Sequence, residues 1–374
     1  MGPTTLPITH AFGGAIQRRI LELSQAQARA GHHVVVFSIP SAGIVARQAG
    51  MRIVEVRCRL RRPLRDIEFL LRAVRALRSF APDVVHFHSM PLGGVLTLSV
   101  PASKFLSFDF FEFRGSRSVL GRRLYRAALR RFDRLLPVSE YCRRESSAYL
   151  GIGVEAMSVI HNGVNTERLR PDAEARERRR RVLGLGDALT VLYVGRVCEQ
   201  KGSDILAAAF PLVAADVPGA RLVVVGPVAE FGEDREDSMV DALRKVGANY
   251  EGPVSDELLP EIYNSCDLFV MPTRTQEMFG MAAAEAQACA KAVVASRQGG
   301  LPEVLSAGAI LVEPGDAKAL ASAVSRVLRD PEVRRTMEQA ARRNVERFDW
   351  SVIVESLDEI YELFGRGLKA DRAT

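Results

Sequence analysis

A chain of 374 residues is too long for one ordinary hydrophobic core and suits two domains. Its 47% hydrophobic share is that of globular protein, and no run reaches the ~18 uninterrupted apolar residues of a membrane-spanning helix. The net charge of +6 conceals a division: up to Ile160 there are 24 Lys plus Arg against 11 Asp plus Glu, and beyond it 27 against 34. A basic first half could meet nucleic acid, an anionic membrane surface or an acidic substrate. The five cysteines, Cys58, Cys142, Cys198, Cys266 and Cys289, are scattered without metal-ligand spacing. With an N-terminus that lacks a basic and then apolar leader, they fit a reduced cytoplasm.

Taken in order, the chain alternates strand and helix. Ala15 to Gly31 reads as a helix with Ile16, Ile20, Leu23 and Ala30 on one face, and Gly31 stops it. HHVVVFSI is a buried strand, and Arg52 to Arg57 a second, short one. Pro63 to Phe80 reads as a helix with Leu64, Ile67, Leu71, Val74 and Leu77 inward and Arg65, Arg72, Arg75 and Arg78 on the other face. PDVVHFHS is a strand ending in polar residues, where open α/β sheets hold ligands. A helix near Leu120 to Phe132, rich in arginine, leads to the strand RLLPVS, a helix from Glu140, and the strand MSVIHNGV. TERLRPDAEARERRRRVLG is charged and contains Pro171, which places the interdomain boundary there, near residue 168.

A second series follows: LTVLYVGRV, ARLVVVGPV, ANYEGPV, DLFVMPT, AVVAS and AILVEP, each succeeded by a helix-compatible stretch. Strands so continuously apolar are covered on both faces. The expected fold class is therefore α/β, with two Rossmann-like doubly wound domains facing across a cleft. The donor-type domain would run to about residue 350. The helical segment Pro331 to Phe364, interrupted near FDW, would let residues 351–374 pack back on the first domain.

The segment from Thr273 to Leu305 holds two carboxylates, Glu277 and Glu285, with MFGMAAA between them and the pair Gly299 and Gly300 beyond. Strand, loop and alanine-rich helix is a layout that aims free backbone N–H groups at an anion. Two glutamates alone would more often be surface charge. On one helix they would lie about 12 Å apart along the axis. Glycoside hydrolases keep their carboxyl pair within about 5 to 9.5 Å, so the spacing argues against that use. Arg196 and Lys201, after a strand in GRVCEQKG, suit phosphate oxygens but alone would pass as exposed cations.

FGGAIQ, GHHVVVF, PDVVHFH, PVSEYC, HNGVNTERLRP, YVGRVCEQKG, LVVVGP, YEGPVSDELLPEIYNSCDLFVMPT, the segment from Thr273 and GDAKALASAV follow one another over nearly the whole length. In that order they resemble the retaining GT-B glycosyltransferases of the large family 4. The resemblance implies transfer of a hexose-type sugar from a UDP- or GDP-linked donor to an acceptor hydroxyl. It places Arg196 and Lys201 at the diphosphate, Glu277 at the donor sugar, Glu285 at the ribose and His88 near the reacting sugar. Its donor-binding set adds Gly13, Gly14, Gly195, Gly226, Val254, Phe279, Gly280 and Met281. No DxD is present, so neither a metal nor a further cofactor is expected. No carboxylate is placed for a covalent intermediate, so front-face attack is the expected route.

The acceptor is left open between a small molecule, a glycan and a lipid-linked compound, with peripheral contact to an anionic membrane and no nucleic acid. An epimerase or phosphorylase on a related fold, and a non-catalytic basic membrane-binding protein, are the alternatives. The chain departs from the resemblance in three places. Only TTLPIT stands for the first strand, Ala290 and Ala292 replace a usual glycine and proline, and VVVGP lacks a second glycine.

Overall fold

The computed structural model describes every residue except 2–6, 9–14, 41–46, 49, 62–63, 110–118, 229–232 and 366–374. Gly13 and Gly14, most of TTLPIT and the phenylalanines from Phe110 to Phe113 lie outside the described residues. The chain is α/β and forms two compact units. Unit 1 is Met1–Gly163 with Trp350–Thr374, and unit 2 is Val164–Asp349.

Among the described residues, unit 1 contributes six strands: β1 (Val35–Ser38), β2 (Arg47–Gln48), β3 (Met51–Glu55), β4 (Val84–His88), β5 (Ser103–Phe108) and β6 (Arg134–Pro137). They form two sheets, ordered β1-β3-β2 and β4-β5-β6, parallel except for the short β2–β3 pair. The segment expected as the strand MSVIHNGV runs beside β6, with Ser158 and Ile160 donating to the carbonyls of Leu135 and Pro137 at 2.9 and 3.0 Å. It forms isolated bridges, Met157 with Leu135 and Val164 with Asp349, not a strand. The last helix, Trp350–Phe364, completes the core around Phe105, Leu136 and Ile160 with Trp350, Ile353, Val354, Leu357 and Tyr361.

The helix Leu64–Phe80 differs from its expected orientation. Phe69, Leu70, Ala73 and Leu77 are its buried residues, while Leu64 and Leu71 are 55% and 56% exposed. Both leucines fit an apolar period of 3.6, but so does the neighbouring stripe through Phe69 and Ala73. The stripe carrying the larger aromatic surface is the one turned inward.

Unit 2 holds β7 (Thr190–Val194), β8 (Arg221–Val225), β9 (Ala248–Gly252), β10 (Leu268–Met271), β11 (Ala292–Ser296) and β12 (Ala309–Val312). They make one parallel sheet in the order β12-β11-β10-β7-β8-β9. The series starts in the middle at β7, runs outward to β9, then restarts beside β7 at β10. Crossover helices cover both faces, which is why the strands read as unbroken apolar runs.

The charged stretch after Pro171 is a helix of this unit, Ala173–Val182, in which Arg179 and Arg180 are buried. Charge normally keeps such a segment in water, but here the guanidinium groups meet fixed acceptors. Arg176 reaches Asp267 at 2.6 Å and Arg179 reaches Glu251 at 2.7 Å. Arg180 donates to the carbonyls of Gly186, Ala188 and Ser265.

Ala290, where a glycine is usual, has φ of 52°. The left-handed turn between the helix Met281–Ala288 and β11 is therefore retained without the residue that favours it. Left-handed backbone costs an L-residue roughly 1–2 kcal/mol, partly offset by the entropy glycine loses on folding. Ala290→Gly should raise the stability of unit 2 by about 1 kcal/mol, read as a higher midpoint in urea unfolding with unchanged slope.

Candidate active site

In an open parallel sheet the loops after two neighbouring strands diverge where the strand order reverses, and ligands bind there at the carboxyl ends. In unit 2 that point lies between β7 and β10. The loop after β7 carries Gly195, Arg196 and Lys201, and the loop after β10 carries Glu277 to Met281.

Two glycines bring these loops together. Lys201 ends a 3-10 turn, Glu199–Lys201, closed by Gly202 at φ 75°. A Cβ on Gly202 would come within 1.8 Å of the Pro272 carbonyl oxygen, so only glycine allows this approach to the end of β10. The Gln200 carbonyl then accepts from the backbone N–H of Arg274 at 3.0 Å and of Thr275 at 3.3 Å. Arg274 pairs with Asp204, and its carbonyl accepts from Gln298 Nε2 at 3.0 Å. On the far side, Gly300 N–H donates to the Glu277 carbonyl at 2.7 Å. Gly299, at φ 61°, would place a Cβ 2.1 Å from the same oxygen.

Held on both sides, Glu277 forms an ion pair with Lys201 through its Oε1. Both side chains are largely covered, at 14% and 26% exposure. Arg196 points outward, and its guanidinium has no acidic partner among the described residues. Its carbonyl accepts from the buried Tyr193 hydroxyl at 2.6 Å, which fixes the turn. The two glutamates do not share a helix. Glu277 is in the loop, and the helix begins at Met281, capped by Gly280 at φ 89°.

Gly280 leaves no room for a side chain, since a Cβ would meet Leu301 Cδ2 at 2.3 Å. Phe279 is buried and packs edge-on to Phe348 at 5.1 Å, so its side chain is turned into the unit. Glu285 is 3% exposed and accepts from Tyr263 Oη at 2.7 Å. Beyond β8, the backbone of Gly226 lies on Gly195, where a Cβ would fall 2.0 Å from the Gly195 oxygen. Val254, half-buried, follows β9 at the same edge of the sheet.

Lys201, Glu277, Gly280 and Glu285 thus belong to one local assembly, with Arg196, Gly195, Gly226 and Val254 on the adjoining strand ends. Tyr263, Gly202 and Arg274 were not among the expected site residues. QKG in the loop after a strand carried a signal for Gly202 as a left-handed cap, whereas nothing in EIYNSCD distinguishes Tyr263 from an ordinary core aromatic.

His88, at the end of β4 in unit 1, is buried and stacks on His86 at 4.2 Å. His86 is fully engaged, with Tyr361 Oη at 2.7 Å and Ser107 Oγ at 2.8 Å. His88 Nδ1 is buried without a hydrogen-bond partner among the described residues. Burial, then the neighbouring His86, holds the His88 pKa well below the ordinary histidine value. Burial does the same for His86. Among the described residues, no group of three or more His, Cys, Asp or Glu is placed to hold a metal ion.

The strand order of unit 2 and its paired loops define a Rossmann-like unit, and with the α/β unit 1 the chain has the fold of the GT-B glycosyltransferases. Two family models match: the one described as Glycosyltransferase Family 4 over residues 12–168, and Glycosyl transferases group 1 over residues 175–344. The chain belongs to the GT-B glycosyltransferases of this family 4 type.

It is 32% identical over 218 residues to a D-inositol 3-phosphate glycosyltransferase of Saccharomonospora viridis, covering 55% of this chain and 50% of that protein. It is 34% identical over 231 residues to a GDP-mannose-dependent alpha-(1-6)-phosphatidylinositol monomannoside mannosyltransferase of Mycolicibacterium smegmatis, covering 58% and 59%. The matches thus span about half the length of these curated relatives. Among solved structures, HepE of Anabaena in complex with UDP and glucose superposes with a TM-score of 0.79 at 18% identity, over 94% of this chain and 97% of that one.

Gly299→Ala should displace Glu277 and lower donor affinity or turnover by about 10²-fold. Gly184, at the same φ of 61° but with nothing within 4 Å of a Cβ, is the control. Gly184→Ala should cost about 1–2 kcal/mol of stability and leave donor binding unchanged, as measured by titration calorimetry. The depressed histidines give a second expectation. A group whose folded pKa lies below its unfolded value of about 6.5 is neutral in the fold and protonates on unfolding. Stability should therefore fall as pH drops below about 6.5. Urea melts at pH 7.5 and 5.5 should show that loss in the parent and a smaller one in His88→Gln.

Proposed function

We propose that the chain is a retaining, metal-independent glycosyltransferase that moves a hexose-type sugar from a UDP- or GDP-linked donor to an acceptor hydroxyl. The observation that carries this reading is the Lys201–Glu277 pair at the point where the strand order of unit 2 reverses. A carboxylate and a cation held side by side serve the two halves of such a donor: hydroxyls on the sugar, negative charge on the diphosphate.

As the glycosidic bond breaks, the departing diphosphate gains charge. Lys201 and the outward Arg196 meet it with a compact charge and a fork of donors. Glu277 accepts hydrogen bonds from the donor sugar, and its ion pair with Lys201 fixes its rotamer. Glu285, steadied by Tyr263, accepts from the ribose hydroxyls. The backbone of Phe279, Gly280 and Met281 offers N–H groups to sugar and phosphate, and Gly195, Gly226 and Val254 line the nucleotide's path. His88, neutral, is suited to a sugar hydroxyl. The donor's own phosphate oxygen takes the acceptor proton in front-face attack, so configuration is retained.

The names of the relatives suggest an inositol phosphate or phosphoinositide acceptor, which would make a lipid-linked compound one substrate class. A reducing cytoplasm is supported by five free cysteines, with Cys266 and Cys289 pushed up to about 12 by burial and so unreactive. No helix among the described residues is long and apolar enough to cross a membrane.

A screen of nucleotide sugars for protection against thermal unfolding identifies the donor. Acceptor-dependent release of the diphosphate then separates a transferase from an epimerase or a non-catalytic binder. Glu277→Gln and Arg196→Ala should each lower kcat by about 10²–10³, a chelator should leave the rate unchanged, and NMR of the first product should show the donor's anomeric configuration. Full turnover in Glu277→Gln with normal donor affinity would remove the role given to Glu277.

A further inference from the structure

Seven of the twelve exposed large apolar side chains among the described residues fall between Leu60 and Leu124. Over residues 57–131 the chain carries sixteen Lys plus Arg against five Asp plus Glu. Clustered exposed leucine is unfavourable in a protein that meets only water, and an excess of arginine around it leaves a positive field. Their coincidence points to something that covers them.

The apolar part is a built feature. Glu68, on the outer face of the helix Leu64–Phe80, accepts from the backbone N–H of Arg59 and of Leu60, both at 2.8 Å. Its other oxygen takes Arg72 Nε at 2.8 Å. One carboxylate thereby folds the preceding loop back over the helix. Leu60, Leu64, Ile67 and Leu71 then line a shallow hollow of about 390 Å³. Arg75 and Arg78 continue the stripe of Leu64, Glu68 and Leu71 at helical spacing. Both are exposed, and neither has an acidic partner among the described residues.

The adjoining elements carry the same mixture. The short helix Gly93–Leu96 packs beside Leu64–Phe80, and Val119–Leu129 packs beside it in turn. Gly93 and Gly94 let that short helix sit directly on the rings of Phe87 and Phe132. Its outward residues Val95 and the flanking Leu92 and Leu98 are exposed, as is Leu124 of the next helix between Arg123 and Arg130.

We propose that this face of unit 1 docks the chain on an anionic lipid bilayer, the leucines entering the headgroup boundary and the arginines meeting lipid phosphates. A second copy of the chain fits poorly, because a self-complementary contact would set arginine against arginine. Single-stranded nucleic acid fits poorly as well, since none of the exposed large apolar side chains among the described residues is aromatic. The proposal is independent of the donor site in unit 2 and would stand if the activity were other than glycosyl transfer.

The test is flotation of the full chain with vesicles of phosphatidylcholine, with and without phosphatidylglycerol, at low and high salt. Binding to the anionic vesicles alone, released by salt, is expected. Leu64→Ser with Leu71→Ser, and Arg75→Glu with Arg78→Glu, should each weaken it at least about tenfold. Leu212→Ser, which alters an exposed leucine of unit 2, should not. A fluorophore on Leu71→Cys should shift to the blue on anionic vesicles while one on Leu212→Cys stays unchanged, which reads the surface without disturbing its charge. Equal binding to phosphatidylcholine, full binding by the glutamate variant, or loss of a sedimenting dimer in its place would overturn the proposal.

Discussion

Everything at the candidate site follows from one steric constraint, the close approach of two strand-end loops at the place where β10 is laid against β7. Gly202 against Pro272 and Gly299 against Glu277 are contacts in which a single methyl group has no room. The backbone hydrogen bonds to Gln200 and Glu277 then fix the register of the loops. Lys201 and Glu277, 76 residues apart in sequence, meet as a result. A charged pair on flexible side chains contributes little by itself, but one seated on rigid backbone is organised before any ligand arrives.

The fold class was legible because unbroken apolar runs and intervening helical periods leave few alternatives to parallel sheets covered on both faces. Arg196, Lys201, Glu277 and Glu285 were legible only as members of an ordered series of motifs. Singly, each is a charge of the kind any surface carries. Three things were hidden. The helix after Pro171 looked like linker because the acceptors that let Arg179 and Arg180 be buried include Glu251 and the Ser265 carbonyl, 72 and 85 residues away. Leu64 and Leu71 looked inward because two apolar stripes share one helix, and periodicity alone does not choose between them. Tyr263 looked like core because a hydroxyl's partner cannot be read from its own position.

Arginine plays opposite parts in the two units. In unit 2, Arg176, Arg179 and Arg180 are turned in, and their donors close carbonyls and carboxylates left by loop ends. In unit 1, Arg75, Arg78, Arg123 and Arg130 are turned out beside exposed leucine. The same residue type therefore serves as internal fastening in one half and as an outward field in the other, a division that total composition conceals.

The crossing between units also bears on how the chain is made. Val164 pairs with Asp349 and donates to Phe348, so the two ends of unit 2 are closed against each other, while Gly163 rests on the Trp350 ring. Unit 2 is in effect an insertion within unit 1. During synthesis its sheet has every strand available once Asp349 has emerged, whereas the core of unit 1 still lacks Trp350, Ile353, Leu357 and Tyr361. Unit 1, whose strands are made before those of unit 2, is thus completed after it. A nascent chain must keep the apolar surface around Phe105 and Leu136 uncovered until the helix Trp350–Phe364 is released.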